Sequence, residues 1–200
     1  MIYVVSGPSG CGKSTLIRRV RARLEGVRFS VSHTTRERRK SEVEGKDYHF
    51  VTRERFLRMV EKGSFVEWAV VHGACYGTSR RELTRTRNQD VILDIDVQGA
   101  AQVRKKIRGA VFIFVLPPSF QALRKRLEER DSDSAAVIRK RLVTARKETR
   151  SCTSFDYVVI NDDLRTAVRE LESILRCHRA RLSARKRSLD PILKSFRSKG

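Results

Sequence analysis

The octapeptide Gly7-Pro8-Ser9-Gly10-Cys11-Gly12-Lys13-Ser14 limits what this chain can fold into more than any other stretch. It fits the pattern G-x-x-x-x-G-K-[ST], and its surroundings agree with that pattern. The apolar run Ile2–Val5 precedes it, and Leu16, Ile17 and Val20 follow at helical spacing. Strand, glycine loop and helix (Lys13–Leu24) in that order open a parallel α/β unit. Glycines reach positive φ, so successive backbone N–H groups can turn toward one anion, and the dipole of the following helix adds to the pull. Lys13 is placed to bridge the β- and γ-phosphates of a nucleoside triphosphate, and the Ser14 hydroxyl to help position Mg²⁺. The loop identifies a triphosphate donor and leaves the acceptor open.

Further along, Val91–Ile95 and Val111–Leu116 are apolar runs without polar alternation, and Tyr157–Ile160 is a third. Such runs predict strands buried on both faces of a parallel sheet. Helices at Gln98–Ile107 and Phe120–Glu129 separate them, and a long helix after Asn161 carries Ala167, Leu171, Ile174, Leu175 and Leu182 near one face. The stretch from Phe29 to Glu82 breaks this rhythm. Alternation in Tyr48–Val51 and Phe65–Ala69, glycines at 45, 63, 73 and 77, and one helix at Arg53–Lys62 predict an inserted subdomain of short antiparallel strands. A second interruption, Arg130–Arg150, is a charged helical segment with only Val137, Ile138, Leu142 and Val143 to anchor it. A mobile lid and a solvated surface helix both fit it.

The chain of 200 residues suits one globular unit, with neither internal repeat nor low-complexity linker. Its 44 Lys+Arg against 23 Asp+Glu give a net charge of +21, which calls for anionic partners: nucleic acid, an acidic membrane or phosphorylated metabolites. No nucleic-acid reading motif accompanies the charge, so nucleic acid is the poorer choice. The cysteines, Cys11, Cys75, Cys152 and Cys177, form no C-x-x-C pair and read as reduced thiols. No apolar run approaches the ~20 residues that span a bilayer, and the chain opens without a charged leader. A soluble, cytoplasmic protein without a membrane partner is the expectation.

Several longer motifs narrow the acceptor: Ser30-Val31-Ser32-His33-Thr34-Thr35-Arg36-Glu37-Arg38-Arg39, Glu44-Gly45-Lys46-Asp47-Tyr48-His49-Phe50-Val51, Phe65-Val66-Glu67-Trp68-Ala69, Tyr76-Gly77-Thr78, Ile92-Leu93-Asp94-Ile95-Asp96-Val97-Gln98-Gly99 and Val159-Ile160-Asn161-Asp162-Asp163. In order and spacing, over almost the whole chain, they resemble the guanylate kinases of bacteria. The resemblance implies an α/β P-loop kinase fold: a parallel sheet flanked by helices, an inserted GMP-binding subdomain and a helical lid. Residues 1–30, 83–129 and 151–200 would form the core, 31–82 the insertion and 130–150 the lid. It also implies phosphorylation of GMP, and of dGMP, at the expense of ATP with Mg²⁺.

The residue types make chemical sense beside that name. Arg36 and Arg39 offer planar forks to a dianionic monophosphate, with hydroxyls from Tyr48, Tyr76 and Ser32 nearby. By resemblance these five bind the GMP phosphate. Guanine presents ring N–H and exocyclic NH₂ donors on one edge, which an ionised carboxylate accepts. Glu67 matches the family's guanine-reading glutamate, Asp96 its partner at the amine, and Thr78 the hydroxyl facing the guanine oxygen. Asp94 and Asp96 close an apolar strand where α/β sheets bind ligands. Asp94 is the organiser of Mg²⁺ together with Ser14, and helix capping is the competing role for either aspartate. Arg141, in Lys140-Arg141-Leu142, resembles the family's lid arginine; Arg130 fits a lid hinge and Asn161 the donor side. Which of Arg139, Arg141, Arg146 and Arg150 reaches the transferred phosphoryl group is open on spacing alone. The chain departs from the family at Ser41 and Asp131, where glycines are common, and at Thr78, where some members have serine.

From Arg176 to Lys199 the chain is strongly basic, with Leu182, Leu189, Ile192 and Leu193 interspersed. Bacterial relatives carry such extensions, and a homo-oligomer contact is the expected use. Two rivals stand beside this reading: a binding module of the same fold that has lost catalysis, and a kinase for another monophosphate such as AMP or UMP.

Overall fold

The structure, a computed structural model, describes residues 1–71, 73–85, 89–129 and 134–197. In chain order these form β1 (Ile2–Ser6), α1 (Lys13–Arg23), β2 (Val27–Phe29), β3 (His33–Thr34), β4 (His49–Phe50), α2 (Arg53–Glu61), β5 (Phe65–Val71), β6 (Ala74–Ser79), α3 (Arg80–Thr84), β7 (Asp90–Asp94) and α4 (Val97–Lys106). They continue with β8 (Val111–Leu116), α5 (Phe120–Glu128), α6 (Ala135–Thr149), a 3-10 turn (Arg150–Ser154), β9 (Tyr157–Ile160), α7 (Leu164–Ala180) and α8 (Leu182–Ser195).

The apolar runs assemble into one five-stranded sheet, β2-β7-β1-β8-β9, in which every neighbour is parallel. Side chains alternate across it. From β1, Tyr3 and Val5 join Leu16 and Ile17 of α1 and Leu171 and Leu175 of α7 on one face, all buried. Val4 points the other way, with Leu93, Phe112 and, from α4, Ala100 and Val103. Each fully buried Leu, Ile or Phe of this kind contributes about 1.5–3 kcal/mol relative to exposure. Helices cover both faces, so the central strands need no polar side. The third apolar run differs: β9 is an edge strand, and Val158 and Ile160 are exposed while Val159 alone is buried.

A second sheet, β4-β3-β6-β5, lies between α1 and β7 in sequence. β5 and β6 pair antiparallel, as do β3 and β6. The alternation in Tyr48–Val51 predicts antiparallel pairing, yet β4 runs parallel to β3, with His33 opposite His49 and Thr34 opposite Phe50. The segment 35–48 is long enough for the crossover that a parallel pair requires. The His33 and His49 rings, tilted against one another with centroids 4.7 Å apart, meet across that register.

Two helices also depart from the sequence expectation. The long helix after Asn161 stops at Arg181, whose extended backbone (φ −59°, ψ 141°) separates α7 from α8. Leu182 therefore leaves the apolar face and is exposed, as are Ile192, Leu193 and Phe196. In the Arg130–Arg150 segment, Ile138 and Leu142 of α6 pack with Ala145 on Leu123 and Leu127 of α5, whereas Val137 and Val143 face solvent. Among the described residues no helix is long and apolar enough to cross a membrane.

Candidate active site

The glycine loop leaves the carboxyl end of β1 and enters α1. Gly7 (φ 143°) and Gly12 (φ 96°) are needed twice over, for backbone angle and for space. A Cβ on Gly7 would lie 2.2 Å from the Val115 carbonyl oxygen, and one on Gly12 would lie 2.3 Å from Asn161 Nδ2. Asn161 braces the loop from behind: its Nδ2 donates to the Cys11 carbonyl at 2.8 Å, and its backbone N–H to the Leu116 carbonyl at 2.7 Å. Pro8 and Cys11 are buried with it, and burial pushes the Cys11 thiol up from its ordinary value.

Lys13 Nζ donates to the Gly7 carbonyl at 2.7 Å and lies 4.0 Å from Asp94 Oδ1. Burial works against its charge, but Cys11, Asp94 and Glu148 nearby raise its pKa above the ordinary lysine value. Ser14 Oγ donates to Asp94 Oδ2 at 3.0 Å. Among the described residues no group of three or more His, Cys, Asp or Glu is arranged to hold a metal alone. One hydroxyl and one carboxylate form the partial oxygen set that Mg²⁺ takes when phosphates and waters complete its octahedron, so the residues fit that ion.

Across the cleft, Arg36 lays its guanidinium near the rings of Tyr48 (5.5 Å) and Phe50 (5.8 Å). Its two Nη atoms donate to Glu42 at 3.0 and 2.7 Å, and the Arg39 backbone N–H donates to the same carboxylate at 2.9 Å. Burial opposes the Glu42 charge, yet these donors hold its carboxyl below the usual range. The Tyr48 and Tyr76 rings pack edge to face at 5.9 Å.

Glu67 sits in β5, where the pairing register shifts between Phe65 and Glu67, and is only 2% exposed. The Thr78 backbone N–H donates to its Oε1 at 2.8 Å, and the Thr78 and Ser32 hydroxyls are 3.2 Å apart. Burial pushes the Glu67 carboxyl up to about 7; Asp96 pushes the same way, while Thr78 and Lys106 pull it down. β7 ends at Asp94, so Asp96 belongs to the following turn and caps α4, its Oδ1 accepting from the Gly99 N–H at 3.0 Å. A Cβ on Gly99 would lie 2.4 Å from Glu67 Oε2; the missing side chain is what lets the carboxylate pack against the start of α4.

One cleft of about 1180 Å³ joins these parts, bordered by Gly7, Ser9, Gly10, Gly12, Lys13 and Ser14 on the loop side and by Ser32, Arg36, Arg39, Tyr48, Glu67, Tyr76, Asp94 and Asp96 across from it. Helix α6 adds Lys140, Arg141 and Glu148. Of the four arginines that spacing left open in the Arg130–Arg150 segment, Arg141 borders this cleft, while Arg146 lies over the Phe120 ring at 4.4 Å beside a separate, smaller cavity. Arg130 and Asp131 lie outside the described residues. Sequence reasoning passed over Glu42, Gly99 and Glu148. An acid three positions after Arg39 was a usable signal for Glu42, and Glu148, two turns along α6 from Arg141, shares its helix face. Gly99 closes the Ile92–Gly99 motif, but nothing local marks its contact with Glu67.

A sequence model described as guanylate kinase matches residues 1–178. The chain is 48% identical over 183 residues to a guanylate kinase of Geobacter metallireducens, covering 90% of each chain. It is 46% identical over 198 residues to one of Geobacter sulfurreducens, covering 98% of this chain and 96% of that one. Among solved structures, guanylate kinase from Anaplasma phagocytophilum superimposes with a TM-score of 0.76 at 37% identity, over 90% of this chain and 87% of that one. With a phosphate loop and a buried carboxylate facing one cleft in a parallel α/β fold, the chain belongs to the guanylate kinase family.

Proposed function

We propose that this chain transfers the terminal phosphoryl group of ATP to the phosphate of GMP, or of dGMP, giving ADP and the corresponding diphosphate. The observation that carries the reading is the meeting of two opposed chemistries in one cleft: a cationic loop for phosphates and a carboxylate pair, buried Glu67 and half-buried Asp96, for a base edge. An ionised Glu67 accepts from the guanine ring N–H and amine, Asp96 from the amine, and Thr78 faces the guanine oxygen. Adenine lacks that donor edge and would leave the carboxylates unpaired, so AMP is rejected.

Arg36, Arg39, Tyr48, Tyr76 and Ser32 take the acceptor phosphate, and the loop N–H groups with Lys13 take the donor phosphates. Ser14 and Asp94 would hold Mg²⁺, which when bound neutralises charge on the donor phosphates. Asn161 serves the donor side by bracing the loop through the Cys11 carbonyl. Arg141 is the described lid arginine that borders the transfer region. No general base is required, because the attacking acceptor phosphate is already an anion; orientation and spread positive charge do the work. Residues 31–82 then act as the acceptor-binding insertion and 130–150 as the lid, in an enzyme of the cytoplasm.

An ADP-release assay with ATP, Mg²⁺ and each of GMP, dGMP, AMP and UMP tests this. Release that requires GMP or dGMP is expected; equal turnover of AMP would refute the guanine site, and silence with every acceptor from folded protein would favour a binding module.

Gly99 supplies a finer check on the base site. Gly99→Ala puts a methyl group where Glu67 Oε2 stands and displaces a carboxylate tethered by the Thr78 N–H. The KM for GMP should rise about tenfold, roughly 1.4 kcal/mol, while the KM for ATP stays put. Steady-state kinetics with each substrate varied in turn will read this, and an unchanged GMP constant would sink it.

A further inference from the structure

Glu148 stands where an anion from outside belongs. It lies in the last turn of α6, on the face that carries Arg141, and borders the cleft beside Ser9 and Lys13. Burial pushes its carboxyl up to about 7; the Lys13 charge pulls the other way, Asp96 adds to the rise, and the Ser9 backbone N–H favours the ionised form. Asp94 from the core and Lys140 and Arg141 on its own helix border the same cleft, and the Cys11 thiol senses the Glu148 charge.

A loop of converging N–H groups beside a lysine is built for phosphate oxygens. A side-chain carboxylate there carries the same sign of charge as the donor's phosphates, so the two cannot share the site without strong repulsion. We propose that Glu148 is an internal stand-in for the donor's phosphates: in the empty enzyme it engages the loop, draws the lid helix onto it, and withdraws when ATP enters. This inference rests on the reading of the loop as the ATP site. It makes Glu148 a determinant of donor affinity, because ATP binds only to the fraction of molecules in which the carboxylate has left, and the observed dissociation constant is the intrinsic one divided by that fraction.

Equilibrium binding of ATP to the full chain, without acceptor, is the test. Glu148→Ala should bind ATP roughly three- to tenfold more tightly than wild type. Inorganic tripolyphosphate should gain by a similar factor, since the competition is at the phosphates, and GMP affinity should not move. Glu148→Asp keeps the charge but is one methylene short of the Ser9 N–H, so it should gain too, by a smaller factor; it also decides the matter if the alanine variant does not fold. Unchanged or weaker ATP binding in these variants would overturn the inference, the weaker case meaning that Glu148 only shapes the loop. A gain in the alanine variant alone would also overturn it, as an effect of net charge without occupancy. Wild type that binds no ATP would instead refute the ATP-site reading.

Discussion

Lys13→Ala is expected to lower kcat by about 10³-fold or more while GMP affinity stays within about twofold of wild type. The ammonium is held between the Gly7 carbonyl and Asp94, at the mouth of the loop. Its removal takes the cation from the place where negative charge spreads during transfer, and it leaves Asp94 with less compensation beside incoming phosphates. Electrostatic groups fixed in a largely dry site exert their full effect there, because no solvent must reorganise to replace them. The proposed acceptor corner, with Glu67 and Arg36, shares no hydrogen bond with Lys13, which is why GMP should still bind. Single-turnover transfer and equilibrium dialysis of GMP on the same preparation separate the two effects. Turnover near the wild-type rate would remove Lys13 from the mechanism.

The second large effect belongs to Glu67. Glu67→Ala should weaken GMP by ~1–3 kcal/mol, or roughly 5- to 150-fold, the cost of a charged hydrogen-bonding partner lost from a buried site. The same carboxylate makes the loss depend on pH. Burial pushes its pKa up to about 7, and guanine needs the ionised form, so it aids binding fully above pH 7. As pH falls through 7 the site must give up a proton before it can accept from guanine, and affinity declines toward tenfold per unit. The phosphate of GMP titrates as well, so the informative quantity is the ratio of wild-type to Glu67→Ala affinity between pH 8.5 and 5.5. That ratio should be largest at high pH and shrink toward the acid end. A ratio flat across the range would show that Glu67 does not meet the base as a carboxylate.

What could be read in the sequence was what its neighbours in the chain impose. The phosphate loop is eight consecutive residues whose function is carried by their own backbone, so one look at Gly7–Ser14 and the flanking apolar pattern located it. Val111–Leu116 announced a buried strand because a strand covered by helices on both faces has no polar side to show. Arg36 and Arg39 identified themselves by charge and by the hydroxyl residues around them, and the structure does bring them into one cleft with the loop, Glu67, Asp94, Asp96 and Arg141.

Tertiary structure decided whatever depends on residues distant in the chain. β4 pairs parallel to β3 because the segment between them crosses over, a choice the alternation of Tyr48–Val51 does not contain. Val158 and Ile160 look like core and lie exposed, since only the order of the strands makes β9 an edge. Leu182 keeps helical spacing with Leu175 yet faces solvent, because the backbone turns at Arg181. Glu67 is a surface-type residue whose pKa moves only when Thr78, Gly99 and Asp96 close around it. Glu148 comes to border one cleft with Ser9 and Lys13 only in the folded chain, since those residues lie at its other end. Periodicity and motif report the energetics of one segment in isolation. Burial, register and the pKa of a carboxylate are set by what packs against that segment, and no local pattern encodes its identity.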